Sequence, residues 1–247
     1  MFNARITFVL VLTAALMPSA AFAEDVPAGI DALTGKDSPL KADDRIAFLG
    51  DSITQAGAGK TGYITLIEQA VTKSQGDKKV QFIKAGISGN KVPDLQRRLD
   101  KDVLSKKPTV VFIYIGINDV WHWGNGKGTK KEDYEAGLGD VIKRCQDAGA
   151  LVVLATPSVI GEKTDGSNSM DKMLEEYAAI SRKVAAENKL VLCDLRKAFI
   201  DYLKEHNKEN KDRGILTGDK VHLNSQGNQF VANEAAAAIA TALKTRK

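Results

Sequence analysis

The chain has 247 residues, enough for one sizeable domain or two small ones with a buried core. Its 43% hydrophobic and 27% charged residues exclude a disordered chain, a collagen-like repeat and a multi-span membrane protein. Lysine and arginine number 35 against 31 acidic residues, and the resulting +4 is spread through mixed-sign stretches rather than gathered in a basic arm, which argues against a nucleic-acid partner.

From the N-terminus, residues 1–23 carry the pattern of a secretory signal peptide. Arg5 supplies the positive start, residues 6–16 are apolar, Pro18 and Ser19 break the run, and Ala21-Phe22-Ala23 gives a small-x-small cleavage pattern before Glu24. The apolar run is too short to span about 30 Å of hydrocarbon at about 1.5 Å per residue. The expectation is a secreted or periplasmic protein with no stable membrane insertion after cleavage; an uncleaved anchor is the alternative. No cysteine stands at the cleavage site, which argues against a lipid anchor. Residues 24–42, with Pro27, Gly29, Gly35 and Pro39 and little periodicity, read as a leader that lies against the domain or stays free of it. The domain itself is expected over 43–247.

Short apolar or β-branched runs then alternate with longer helical patterns. Strands are expected over 45–49, 80–85, 109–115, 151–155 and 190–194. Helices are expected over 62–74, 92–99, 133–148, 170–188 and 225–243, where apolar residues recur at three- and four-residue spacing. Residues 204–213, rich in Lys, Asp and Asn, read as solvated surface. Five strands separated by helices imply a parallel sheet, and most of them are too apolar to leave a face to water, so helices cover both faces. Right-handed crossovers then give a doubly wound, three-layer α/β/α sandwich whose ligand site lies beyond the carboxyl ends of the strands. Cys145 in a helical stretch and Cys193 in a strand are not a disulfide framework; a single bridge and two buried thiols are both open.

Polar and glycine-rich sequences collect at that carboxyl edge. The first strand runs into Gly50-Asp51-Ser52-Ile53-Thr54, the second into Gly86-Ile87-Ser88-Gly89-Asn90, and the third into Gly116-Ile117-Asn118-Asp119. Before the last helix comes Asp219-Lys220-Val221-His222, a carboxylate three residues ahead of one of only three histidines. A serine hydroxyl is a poor nucleophile until an imidazole takes its proton, and the imidazole needs a carboxylate on its other nitrogen to fix tautomer and orientation. Ser52, His222 and Asp219 fit those roles. The tetrahedral intermediate also needs preorganised donors, for which the N–H groups of Ser52 and Gly89 and the side-chain amide of Asn118 are candidates. Ser52 does not sit in a G-x-S-x-G elbow, so the common α/β-hydrolase arrangement does not apply.

These blocks resemble the four signature blocks of the SGNH (GDSL) esterases and lipases: Gly50-Asp51-Ser52, Gly89, Gly116-x-Asn118-Asp119 and Asp219-x-x-His222, in order and over roughly residues 43–243. His222-Leu223-Asn224 followed by Gly227 is similar to the family's entry into its last helix. The resemblance implies an SGNH-hydrolase, flavodoxin-like fold and an acyl hydrolase that needs no metal or other cofactor. It also implies Ser52 as nucleophile, Ser52, Gly89 and Asn118 as oxyanion donors, and Asp219 with His222 as the acid/base pair. Asp51 reads as structural, holding the turn beside the nucleophile.

Two rivals come from other classes. A metal-dependent phosphoesterase would use Asp51, Asn118, Asp119 and His222 as ligands, but binuclear sites call for several histidines and only His222 lies in one of these blocks. A non-catalytic binding module on the same fold would be expected to lack a catalytic residue, and none is missing. Among the remaining histidines, His206 sits in a mixed-charge solvated stretch, while His122 lies between Trp121 and Trp123, where packing of the loop is favoured over contact with substrate. The two indoles, close to Asn118, are either platforms for a sugar ring or acyl chain, or anchors of their Gly-rich loop over 121–129. The expected substrate is a small-molecule or polysaccharide ester, with a short acyl group such as acetyl on a carbohydrate or other polar alcohol. A lysophospholipase or thioesterase with a longer acyl groove is the alternative, and oligomeric state is left open.

Overall fold

A computed structural model of the chain describes residues 29–246, so the signal-peptide pattern over 1–23 lies outside the described residues. In chain order the elements are α1 (Asp31–Thr34), β1 (Arg45–Gly50), α2 (Ser52–Gly57), α3 (Tyr63–Gln75), β2 (Gln81–Gly86), α4 (Val92–Asp102), β3 (Val110–Tyr114), α5 (Ile117–Trp121), α6 (Lys131–Asp147), β4 (Leu151–Ala155), α7 (Asp171–Glu187), β5 (Val191–Cys193), α8 (Leu195–His206) and α9 (Ser225–Lys244). The five strands form one sheet in the order β2-β1-β3-β4-β5, every pair parallel. The chain leaves β1 toward one edge for β2 and returns past it to β3, so the order reverses at β1. The crevice at the carboxyl ends of β1 and β3 is therefore the topological switch point, where doubly wound sheets place their ligands.

The strands form where apolar residues run without interruption. Ile46, Ala47, Phe48 and Leu49 of β1 and all of β3 are buried, as central strands covered on both faces must be. At the edge, β2 alternates over its second half instead: Ile83 and Ala85 are buried while Lys84 between them is exposed. Helices α1, α3 and α9 pack together on one face, and α4, α6 and α7 on the other. Phe48 is the hub of the first layer, edge-on to Tyr63 of α3 at 5.9 Å between ring centroids and 5.7 Å from Phe112 of β3. In the second layer Tyr134 of α6 meets Tyr177 of α7 at 4.9 Å, and its hydroxyl lies 2.9 Å from Ser181 Oγ.

The sequence assigns Asp194 to the fifth strand and no helix to 195–206; the structure differs on both, while of the solvated stretch 204–213 Lys204, Glu205 and His206 are exposed as expected and only Asn207 is buried. Asp194 caps α8, accepting a hydrogen bond from the Lys197 N–H at 3.2 Å, and so ends β5 at Cys193. Leu195, Phe199 and Leu203 are buried at four-residue spacing along α8, a stripe about one residue wide that the surrounding Lys, Asp and Glu residues hide. Cys145 of α6 and Cys193 of β5 are both buried free thiols. Residues 29–42 lie against the body: Ala32, Leu33 and Leu40 join the core, and the Ile30 N–H donates to Asn233 Oδ1 of α9 at 3.2 Å. Among the described residues no helix is long and apolar enough to cross a membrane.

Near the C-terminus Arg246 closes the fold on Asp44, donating to both carboxylate oxygens at 2.8 Å; the Lys41 N–H and Thr109 hydroxyl add bonds of 2.8 and 3.0 Å. Burial pulls the Asp44 carboxyl upward, but Arg246 and the N–H donor outweigh it and hold it below the ordinary carboxylate value of 3.8. A carboxyl whose pKa falls on folding contributes stability above its unfolded value and loses it as the pH drops through the folded one. Asp44→Asn is therefore expected to cost about 3 kcal/mol at neutral pH. The gap in melting temperature from wild type should close as the pH falls below about 4. A gap unchanged down to pH ~3 would show that the Asp44 charge does not set it.

Candidate active site

β1 ends in Gly50, and Asp51 turns the chain into α2. The buried Asp51 side chain accepts from the Ile53 N–H at 2.9 Å, which caps the helix and leaves Ser52 as its first residue at the mouth of the switch-point crevice. Burial, with the nearby Asp119 carboxyl adding to it, pushes Asp51 up to about 7 against that bond. Asp51 thus holds the turn, in keeping with a structural part. Asp119, buried one residue past Asn118, accepts from the Val92 N–H at 3.1 Å at the start of α4 and is pushed by burial up to about 6.

The loop before α9 brings His222 to Ser52 across 170 residues of chain: His222 Nε2 lies 2.9 Å from Ser52 Oγ. On the other side of the ring, Nδ1 lies 2.7 Å from Asp219 Oδ2. The carboxylate fixes the proton on Nδ1 and so leaves Nε2 to accept from the serine hydroxyl. The other carboxylate oxygen, Asp219 Oδ1, accepts from the backbone N–H groups of Val221 at 3.1 Å and His222 at 2.8 Å. Partial burial raises the Asp219 carboxyl, but the bonds from the His222 ring and from these N–H groups prevail and keep it below 3.8.

The strands on either side of β1 carry Gly89 and Asn118 just past their carboxyl ends, on the same edge of the sheet as Ser52. Gly89 has φ +76, a left-handed conformation in which a side chain would be strained, and a Cβ there would meet nothing within 4 Å. The demand at Gly89 is thus conformational, and the space above it is open to a ligand. Neither the Ser52 N–H nor the Gly89 N–H has a protein acceptor among the described residues. Gly116, at φ +121 and 2.7 Å from the Tyr134 hydroxyl where a Cβ would stand, turns β3 into α5 and delivers Asn118. The buried Asn118 amide donates one hydrogen to the Asn90 carbonyl at 3.1 Å, which fixes its plane. Two N–H groups and a side-chain amide next to a hydrogen-bonded Ser-His-Asp line form an arrangement suited to acyl transfer through an oxyanion.

Two supports carry no signal in the sequence. Arg98 of α4, with its side chain 12% exposed, donates to Gly50 O at 2.8 Å and to Asn90 Oδ1 at 2.7 Å, tying the serine turn to the loop that holds Asn118. Gln55 accepts from the Ser88 N–H at 2.7 Å and ties α2 to the Gly89 loop. Both act across tens of residues of sequence, and only an invisible tertiary contact distinguishes them from ordinary helix-surface residues.

The tryptophans part company. Trp123 donates its Nε1–H to Tyr177 of α7 at 3.0 Å and packs over Gly128, so it anchors its loop. Trp121 closes the short helix that carries Asn118, and its indole has no hydrogen-bond partner among the described residues; the two rings are equally exposed, at 40% and 39%, and Ile87, two residues before Gly89, is 43% exposed. His122 is held below its ordinary value by partial burial and then by Lys91 and Lys127. His206 stacks on Tyr202 at the exposed end of α8. Among the described residues no three His, Cys, Asp or Glu side chains are placed to hold a metal ion.

The model of the GDSL-like Lipase/Acylhydrolase family matches residues 48–230. An acetylxylan esterase of Geobacillus stearothermophilus is 28% identical over 206 residues, covering 76% of this chain and 90% of that protein. Among solved structures, the acetyl xylan esterase AlAXEase is 46% identical over 79% of this chain and 99% of its own, with a TM-score of 0.77. The hydrolase LAE5, from the metagenome of Lake Arreo, is 28% identical over 83% and 98%, with a TM-score of 0.72. The family match spans the first strand to the last helix on a sheet of the same kind, and the chain therefore belongs to the GDSL-like lipase/acylhydrolase family and is a serine hydrolase of carboxylic esters.

Proposed function

We propose that this protein is an exported esterase that removes acetyl groups from carbohydrate, with Ser52, His222 and Asp219 as the reacting set. Ser52 Oγ attacks the acetyl carbonyl while His222 Nε2 takes its proton, and the Ser52 and Gly89 N–H groups and the Asn118 amide receive the oxyanion. The intermediate collapses when His222 returns the proton to the departing sugar hydroxyl, leaving acetyl on Ser52. Water, deprotonated by the same nitrogen, then releases acetate and restores the serine.

The observation that carries the choice of substrate is the 46% identity to an acetyl xylan esterase over nearly the whole of that chain. The openness of the site agrees with it. Ser88, Gly89, Asp219 and Lys220 are exposed around the Ser52 hydroxyl, a shelf that admits a small acyl group on a bulky polymer. The signal-peptide pattern over 1–23 supports export to where such polymers are found. Trp121 offers its exposed face to a sugar ring.

Acetyl, butyryl and palmitoyl esters of one alcohol are expected to be hydrolysed in that order of kcat/KM. Trp121→Ala is expected to lower kcat/KM on acetylated xylo-oligosaccharide about fivefold, the equivalent of ~1 kcal/mol of stacking, with little effect on a simple acetyl ester. Faster turnover of the palmitoyl ester would replace this reading with the long-acyl one. An unchanged value for Trp121→Ala on the oligosaccharide would remove the platform role.

A further inference from the structure

We infer that Glu162, between β4 and α7, is a positioning residue that holds the Asp219–His222 loop against Ser52; the inference rests on the reading of those three residues as the reacting set. Glu162 is wholly buried, and among the described residues no Lys, Arg or His lies within ion-pair distance of it. Its carboxylate instead sits in a nest of successive backbone donors: Ile215 N–H on Oε2 at 2.7 Å, and Leu216 and Thr217 N–H on Oε1 at 2.7 and 2.5 Å. Burying a carboxylate away from cations is unfavourable unless such donors satisfy it, and the nest of N–H groups is a known way to do so. The main chain of Glu162 is tied to the same region, its N–H donating to Asp212 O at 3.0 Å and its carbonyl accepting from Asn207 Nδ2 at 2.8 Å.

The clamped segment leads directly into the catalytic loop. Thr217 pairs with Leu223 in an antiparallel bridge, and the Gly218 N–H donates to His222 O at 2.8 Å, so residues 217–223 close on themselves. Within the loop Lys220, between Asp219 and His222, has φ +85, a left-handed conformation that a non-glycine residue adopts at a cost. It is held there by the Gly161 N–H, which donates to Lys220 O at 2.8 Å, and by a 2.5 Å ion pair from its ammonium group to Asp212. Gly161 and Glu162 thus grip the loop at its middle and at its base. On the far side, the Asn224 N–H donates to Leu216 O at 3.0 Å and continues the tie into α9. The bonds from Asp219 to the Val221 and His222 N–H groups order the loop internally but do not fix it to the body. Displacing a reacting group by about 1 Å is enough to cost about 100-fold in rate, so the clamp bears on turnover.

Glu162→Gln keeps the size of the side chain but turns an N–H group toward donors that need an acceptor. It is expected to lower kcat on a simple acetyl ester at least tenfold with KM within about twofold. It should also broaden or abolish the low-field proton resonance of the His222 Nδ1–H···Asp219 bond, assigned by its absence in His222→Ala. Glu162→Asp, which keeps both acceptor oxygens on a shorter stem, should show a smaller loss in both readouts and carries the test should the glutamine variant not fold. Wild-type kcat with an unchanged resonance in a folded variant overturns the inference, as does a fall in kcat with the resonance intact. Full activity in His222→Ala would instead overturn the assignment of the reacting set, while the resonance in the Glu162 variants still reports on the clamp.

Discussion

Replacing His222 with alanine is expected to cut kcat on a small acetyl ester by about four to six orders of magnitude while leaving the fold intact. The size follows from the geometry. At 2.9 Å from Ser52 Oγ, Nε2 is the one imidazole nitrogen in reach of the hydroxyl proton, and Asp219 at 2.7 Å holds the ring in the tautomer that leaves this nitrogen free. Without it the hydroxyl attacks unaided. The fold should survive because the His222 side chain is 37% exposed and fills no core space. On the proposal that the three side chains act as one reacting set, Ser52→Ala and the Ser52→Ala/His222→Ala double variant should be no slower than His222→Ala by more than about tenfold. Losses that multiply in the double variant would mean that the two residues act in separate steps.

Asn118→Ala is expected to cost about 100- to 1,000-fold in kcat, or ~3 kcal/mol, with KM nearly unchanged. An oxyanion donor earns its effect only when negative charge develops, so its removal shows in the transition state and not in binding. The buried Asn118 amide is preorganised for this: its Asn90 bond, the Arg98 bond to Asn90 and the Gly116 turn fix its position before substrate arrives. Steady-state kinetics on one acetyl ester decide the matter. A rise in KM at constant kcat would make Asn118 a ground-state binding group.

Much of this arrangement is legible in the sequence because strand ends and motifs coincide. Each strand run is apolar enough to be found within about a residue or two, and the doubly wound topology then brings residues 52, 89 and 118 to adjacent strand ends. The pairing of Asp219 with His222 is legible from their spacing, since one short loop carries both. Other features depend on long-range contacts. The buried stripe of α8 is too narrow to stand out from its charged flanks, and Trp121 and Trp123 look alike until Tyr177 takes the indole N–H of only one. Glu162 reads as another loop acid; its part appears only when the chain folds three N–H groups from 53 to 55 residues away onto its oxygens. Arg98 likewise reads as the polar face of α4 until Gly50 O and Asn90 are found within its reach.

The most direct test of the central claim is covalent labelling with a fluorophosphonate, followed by mass spectrometry to locate the adduct. A serine activated by an imidazole reacts with the phosphorus centre as it does with an ester carbonyl. A single adduct on Ser52 is predicted, absent from Ser52→Ala and formed far more slowly in His222→Ala. An adduct on another residue, or labelling of Ser52→Ala at the wild-type rate, would contradict it.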